Sequence, residues 1–378
     1  MLLAPAVALT TLLAQTVPLG TIVDDVKCSG DPSQSYALYV PSSYTSERKW
    51  PVLFAFHPAA RGRAMVEKYA AAAEQYGYII AGSNNSRNGP WGPSRAAILA
   101  MPADVGRRLA IDPKRVYVTG MSGGSRVALE VALAKNDVAG AIASSAGYPD
   151  SQPRSRLSFP IFSTAGTEDF NYLEMRLLDR KLTTPHYLAV FEGGHTLPPD
   201  AVALEAIEWL EVQAMKAGRR ARDEALLDRL LDKRRKAIAG SNSDVTAVHL
   251  LEAFVADFQG LRDVSAESAR LKELTKRPDV RKALDRERAS EDAEWRSIND
   301  IFELEAGLAD DERRPGALMR LRDALAKLSR AANAEEDTPA RAQARRVLRT
   351  ITAGAGERVQ DREYRAVIDQ YRLPGRGL

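Results

Sequence analysis

A serine set between glycines, Gly120-Met121-Ser122-Gly123-Gly124, lies between the apolar run RVYVTG (115–120) and the amphipathic segment 123–135. The pattern G-x-S-x-G is common by chance. Between a strand and a helix it specifies a tight, strained turn that lifts the serine side chain clear of the sheet. The chemistry available there is nucleophilic attack on an acyl carbon, with a helix N-terminus nearby where negative charge develops. The competing reading is a glycine-rich turn that holds a ligand phosphate.

A serine hydroxyl is a poor nucleophile near neutral pH and needs a base. The four histidines are His57, His186, His195 and His249. His195 lies in EGGHTLPP (192–199), after the last apolar strand pattern and before a helical one, where a base in the chain order Ser, acid, His belongs. Gly193 and Gly194 suit a loop that delivers the ring. His186 falls inside a strand pattern and His249 in a helical region, so both read as structural. The acid is sought after PIFSTAG (160–166), where Glu168 and Asp169 follow each other. Asp169 is the expected partner of His195, and Glu168 is its rival; Asp179 and Glu192 are less well placed.

An oxyanion site needs two N–H donors. One is expected from Gly123. The other is sought after FAFH (54–57), where Pro58 has no N–H and Ala59 becomes the candidate. His57 shapes this loop or lines the pocket. In SNNSRNGPWG (83–92), Trp91 either lines the pocket or packs beneath its loop.

These residues require a frame. Apolar runs at 35–40, 51–57, 78–83, 115–120, 138–146, 160–166 and 186–193 read as strands, and 63–76, 94–110, 123–135, 170–181 and 200–216 read as helices. Alternating strands and helices predict a mostly parallel sheet with helices on both faces, its active site at the strands' C-terminal ends.

After residue 215 the pattern turns all-helical and charge thickens sharply, which predicts an α/β part over 21–215 that carries the candidate serine, histidine and acid, and a charged helical domain over 216–378. Thr338-Pro339 reads as an N-cap with a first-turn proline, and Gly240, Gly260, Pro278 and Pro315 separate the segments. A stack of helical hairpins, loosely like tetratricopeptide-type repeats, is expected. The basic run at 219–236 reads as a solvated helix face, and the domain is a candidate surface for a protein partner.

Residues 1–20 carry no charged side chain and read as a secretory segment with a cleavage point after Ala14, implying a secreted or periplasmic protein, or a cytoplasmic one if the segment is not a signal. No later stretch is long and apolar enough for a membrane span. The single cysteine, Cys28, rules out an intramolecular disulfide and reads as a buried thiol. A net charge of +3 over 378 residues gives no warrant for nucleic-acid binding.

Taken together, FAFHP (54–58), SNNSRNGPWG (83–92), MPADVGRRLAIDPKRVYVTGMSGG (101–124), AGTEDF (165–170) and EGGHT (192–196) resemble the secreted α/β-hydrolases of the polyhydroxybutyrate depolymerase, feruloyl esterase and dienelactone hydrolase-like group. The resemblance covers roughly 35–212. That group usually has His-Gly where this chain has His57-Pro58. The resemblance implies an α/β-hydrolase fold, hydrolysis of carboxylic esters by Ser122, His195 and Asp169, and no cofactor or metal. With no room for a large cap after the sixth strand, an open, shallow site for a bulky or polymeric ester is expected. Two other functions fit the motifs: a prolyl-oligopeptidase-like serine peptidase, against which the lack of a propeller-sized N-terminal region argues, and a non-catalytic scaffold with a partner-binding tail.

Overall fold

The computed structural model describes residues 17–374 except 136, 151, 153 and 337. The secretory reading of 1–20 falls, through residue 16, outside the described residues.

One eight-stranded sheet organises the first part of the chain. Its strands are β1 (Ile22–Cys28), β2 (Asp31–Tyr39), β3 (Trp50–Phe56), β4 (Ile79–Ser83), β5 (Ile111–Met121), β6 (Val138–Ser144), β7 (Ile161–Gly166) and β8 (His186–Phe191). They lie in the order β1-β2-β4-β3-β5-β6-β7-β8. β4 through β8 run parallel, and β1 and β2 form an antiparallel edge. Between the strands run α1 (Gly62–Tyr76), α2 (Trp91–Arg108), α3 (Gly123–Ala134) and α4 (Tyr172–Lys181), and α5 (Asp200–Lys216) follows β8. This is the α/β-hydrolase strand order. Strands β3, β4, β6 and β7 are buried throughout, and β5 over its last five residues, because helices cover both faces, which is why they read as apolar runs.

Two apolar layers sandwich the sheet. One holds Phe54, Val118 and Ile161 against α2, α3 and α4; the other holds Leu53, Ile142 and Phe162 against α1 and α5. β1 has no counterpart among the expected strands. Asp24 and Asp25 interrupt its alternation, and the register to β2 slips between Val23 and Val26, so a bulge carries both carboxylates on an exposed edge. Cys28 ends this strand as a buried free thiol, pushed up to about 11 by burial.

The rest of the described chain is helical: α6 (Glu224–Ala239), α7 (Asp244–Phe258), α8 (Ser265–Lys276), α9 (Pro278–Gly307), α10 (Arg314–Ala332), α11 (Pro339–Thr352), α12 (Ala355–Arg358) and α13 (Arg362–Gln370). Thr338 caps α11, its side chain accepting from the Arg341 N–H at 3.2 Å. Pro278 and Pro315 open α9 and α10. The helices do not form a regular repeat. No residue breaks the chain between Pro278 and Gly307, so α9 runs for 30 residues, touching α7, α8, α10, α11 and also α4. The run 219–236 is not wholly solvated: Leu227 and Leu230 enter the core, while Arg234 lies over the Tyr187 ring and pairs with Glu205.

The helical part packs back onto the sheet domain. One apolar cluster joins α6 to α8 with Val212 and Met215 of α5; another joins α9, α10, α11 and α13 with Leu173 of α4. Arg176 and Arg180 of α4 reach Glu291 of α9 at 2.6 and 2.7 Å. Among the described residues, no helix is long and apolar enough to cross a membrane.

Candidate active site

Ser122 stands at the turn between β5 and α3 with φ 53° and ψ −124°. A non-glycine residue in this region costs on the order of 1–3 kcal/mol, so the surroundings must impose it. They do so by close backbone approach. A Cβ on Gly120 would lie 2.1 Å from the Gly124 carbonyl oxygen, and one on Gly124 would lie 2.2 Å from that of Phe56. Only glycine lets α3 start this close to β5 and β3. The Ser122 N–H donates to the Ser144 carbonyl of β6 at 2.8 Å, tying the turn to the next strand. The Gly123 N–H heads α3, where a helix offers it no internal acceptor.

His195 follows β8 and reaches Ser122 Oγ with Nε2 at 2.8 Å. Its Nδ1 lies 2.8 Å from Asp169 Oδ1. The three side chains thus form one hydrogen-bonded row built from the loops after β5, β7 and β8. Asp169 is fully buried, and its Oδ1 also accepts from the Asn171 N–H at 2.8 Å. Phe170 stacks on the imidazole with ring centroids 3.9 Å apart. The neighbouring carboxylate points elsewhere: Glu168 pairs with Arg345 and Arg349 of α11 at 3.1 and 3.0 Å. Adjacent residues on one turn face opposite sides, and this separates Asp169 from its rival.

The oxyanion loop differs from expectation. The Ala59 N–H donates to His57 Nδ1 at 3.0 Å, so this donor is committed to the ring two residues earlier. Burial first, and the charge of Arg61 second, hold the His57 pKa below the ordinary histidine value. A neutral ring whose Nδ1 accepts carries its proton on Nε2, so His57 keeps an N–H donor on the cleft wall. Asn88 packs against Gly123 so closely that a Cβ there would lie 1.7 Å from its Oδ1. Trp91 opens α2, is 38% exposed and does not line the cleft. Pro90 and the helix start carry it past the mouth, and Asn88 is the residue of that loop that faces the serine.

Ser122, His57 and His195 border a cleft of about 760 Å³, within the range of small-molecule sites. It is not open on every side. Arg349 and Thr352 of α11 and Ala353 at its C-terminal end, with Arg372 and Leu373 after α13, form one wall. Arg346 of α11 also donates to the Thr167 carbonyl at 3.1 Å, and Thr350 to that of Phe170 at 2.8 Å. This wall has no local signal in the sequence, because the residues that meet are nearly 180 positions apart.

No protein-family profile and no curated protein matches the chain. Among solved structures it is similar to the feruloyl esterase module from Clostridium thermocellum at 14% identity and a TM-score of 0.37, over 46% of this chain and 82% of that one. It is also similar to Thermogutta terrifontis esterase 2 at 14% identity and 0.41, over 54% and 96%. Porphyromonas gingivalis dipeptidyl peptidase 4 is similar at 17% identity and 0.39, over 50% and 35%. The fold assignment rests on the chain's own strand order and elbow, not on these likenesses.

Proposed function

We propose that the chain is a serine hydrolase that cleaves carboxylic esters through an acyl-enzyme. The observation that carries this reading is the row Ser122 Oγ, His195 and Asp169, with both contacts at 2.8 Å. His195 Nε2 takes the Ser122 proton as Oγ attacks the ester carbonyl, and Asp169 holds the ring and stabilises the imidazolium. The Gly123 N–H receives the developing oxyanion, with the His57 Nε2–H and the Asn88 amide as the side-chain donors at hand. The imidazolium protonates the departing alkoxide. His195 then takes a proton from water as that water attacks the acyl-enzyme, and Ser122 is regenerated with release of the acid.

Hydrolysis of p-nitrophenyl acetate or butyrate by the purified protein, abolished by Ser122→Ala, tests the reading; full activity in that variant overturns it. Export stands on the uncharged apolar segment 1–20, and N-terminal sequencing of the mature protein checks it, with Gln15 as the expected first residue. A protein partner for 216–378 remains a separate proposal, checked by pull-down with the full chain.

A further inference from the structure

Among the described residues, those lining the cleft include three arginines and no aspartate or glutamate. Arg61 comes from the turn before α1, Arg349 from α11, and Arg372 from the segment after α13. Their balance is unequal. Arg372 pairs with Asp369 at 2.8 Å, both side chains more than half exposed. Arg349 shares a single carboxylate, Glu168, with Arg345, so that cluster of three keeps one positive charge. The Arg61 side chain is exposed and makes no hydrogen bond or ion pair with any described residue. Asp169, a buried carboxylate beside the cleft, faces His195.

Around these charges much of the wall is apolar. Met121, Phe170, Leu197 and Leu373 line the same space. An apolar slot with an uncompensated cationic side favours a ligand that is itself divided between a hydrocarbon part and an anion. A guanidinium presents paired donors that match a carboxylate.

Resting on the serine-esterase reading, we propose that the cleft selects esters that carry a second, ionised carboxylate, and that Arg61 and the helical tail supply the cations that read it. The reacting ester sits at Ser122 with its hydrocarbon on the apolar wall, and the free carboxylate lies toward Arg61 and the tail arginines. The tail is then a specificity element of the same active site, since two of the three cations belong to it.

The test uses the full chain and two matched pairs of esters. p-Nitrophenyl hydrogen adipate against p-nitrophenyl hexanoate places the extra carboxylate on the acyl side. The butyrate of 7-hydroxycoumarin-3-carboxylate against that of 4-methylumbelliferone places it on the alcohol side. In at least one pair the charged ester is expected to have the higher kcat/KM. That charged-to-neutral ratio is expected to fall roughly tenfold in Arg61→Ala and less in Arg61→Lys, chiefly through KM, the scale of one charge-assisted contact. Arg372→Ala is expected to lower the same ratio. Equal rates within both pairs, or a ratio unmoved by both alanine variants, overturns the inference while leaving the esterase reading standing. Failure to hydrolyse any of the four esters overturns both.

Discussion

Arg349 of helix α11 forms an ion pair at 3.0 Å with Glu168, the residue that precedes Asp169. Arg346 and Thr350 hold the Thr167 and Phe170 carbonyls of the same turn. The last long helix therefore grips, on both sides of Asp169, the loop whose carboxylate and aromatic ring set the position of His195.

That grip has a kinetic consequence. Thr350→Val and Arg346→Ala leave Ser122, His195 and Asp169 in place but loosen the loop that orients the imidazole. A small displacement at a reacting group is costly, so kcat on a neutral ester should fall roughly tenfold with KM little changed. Steady-state kinetics on folded protein check this. A normal kcat in the double variant would mean that the loop holds its shape without the tail.

The two adjacent carboxylates should behave very differently. Asp169→Asn removes the acceptor that fixes the His195 tautomer, and kcat should drop by roughly 10³–10⁴. Glu168→Gln faces α11 and should cost far less, with most of its effect on tail docking. Comparable losses from the two substitutions would contradict the assignment of the acid.

The elbow is predicted to be sterically exact. Gly124→Ala puts a Cβ 2.2 Å from the Phe56 carbonyl oxygen, where no flexible side chain can yield. Destabilisation of roughly 3 kcal/mol or more is expected, because backbone must move in a packed layer. Urea unfolding checks it, and a wild-type midpoint would show that β3 and α3 have slack.

The site was unevenly legible in the sequence. The strand-glycine-serine-helix pattern is readable because hard-sphere contacts at Gly120 and Gly124 leave no other residue type. The central strands are readable because burial on both faces removes polar residues from them. β1 was hidden, since its Asp24-Asp25 bulge has neither alternation nor an apolar run. Glu168 and Asp169 are chemically interchangeable until packing turns one toward His195 and the other toward α11. Pro58 lacks an N–H, which points to Ala59, but nothing in the sequence shows that His57 Nδ1 takes that donor. The tail's part in the cleft has no sequence signature, because its arginines are ordinary residues on an amphipathic helix until the chain folds back.

The tail also predicts a pH dependence of stability. His249 of α7 lies between Glu252 and Glu287, with Nε2 at 2.8 Å from Glu287 on α9, and their carboxylates push its pKa up to about 9. Burial first, and Arg176 second, oppose them without reversing the direction. The folded value exceeds the ordinary histidine value of about 6.5. The contribution is therefore complete below about pH 6.5 and is lost as pH rises toward and through 9. The melting-temperature gap between wild type and His249→Gln should be largest near pH 6 and close near pH 10. A gap that is constant over this range would remove the ion pair from the account.

Ser122, if activated by His195, is a nucleophile toward phosphorus as well as carbon. Incubation with a fluorophosphonate, followed by peptide mass spectrometry, reads this directly without knowledge of the natural ester. One stoichiometric adduct is expected, on the peptide that contains Ser122, absent in Ser122→Ala and strongly slowed in His195→Ala. An unlabelled protein, or an adduct on another residue that persists in Ser122→Ala, would contradict it.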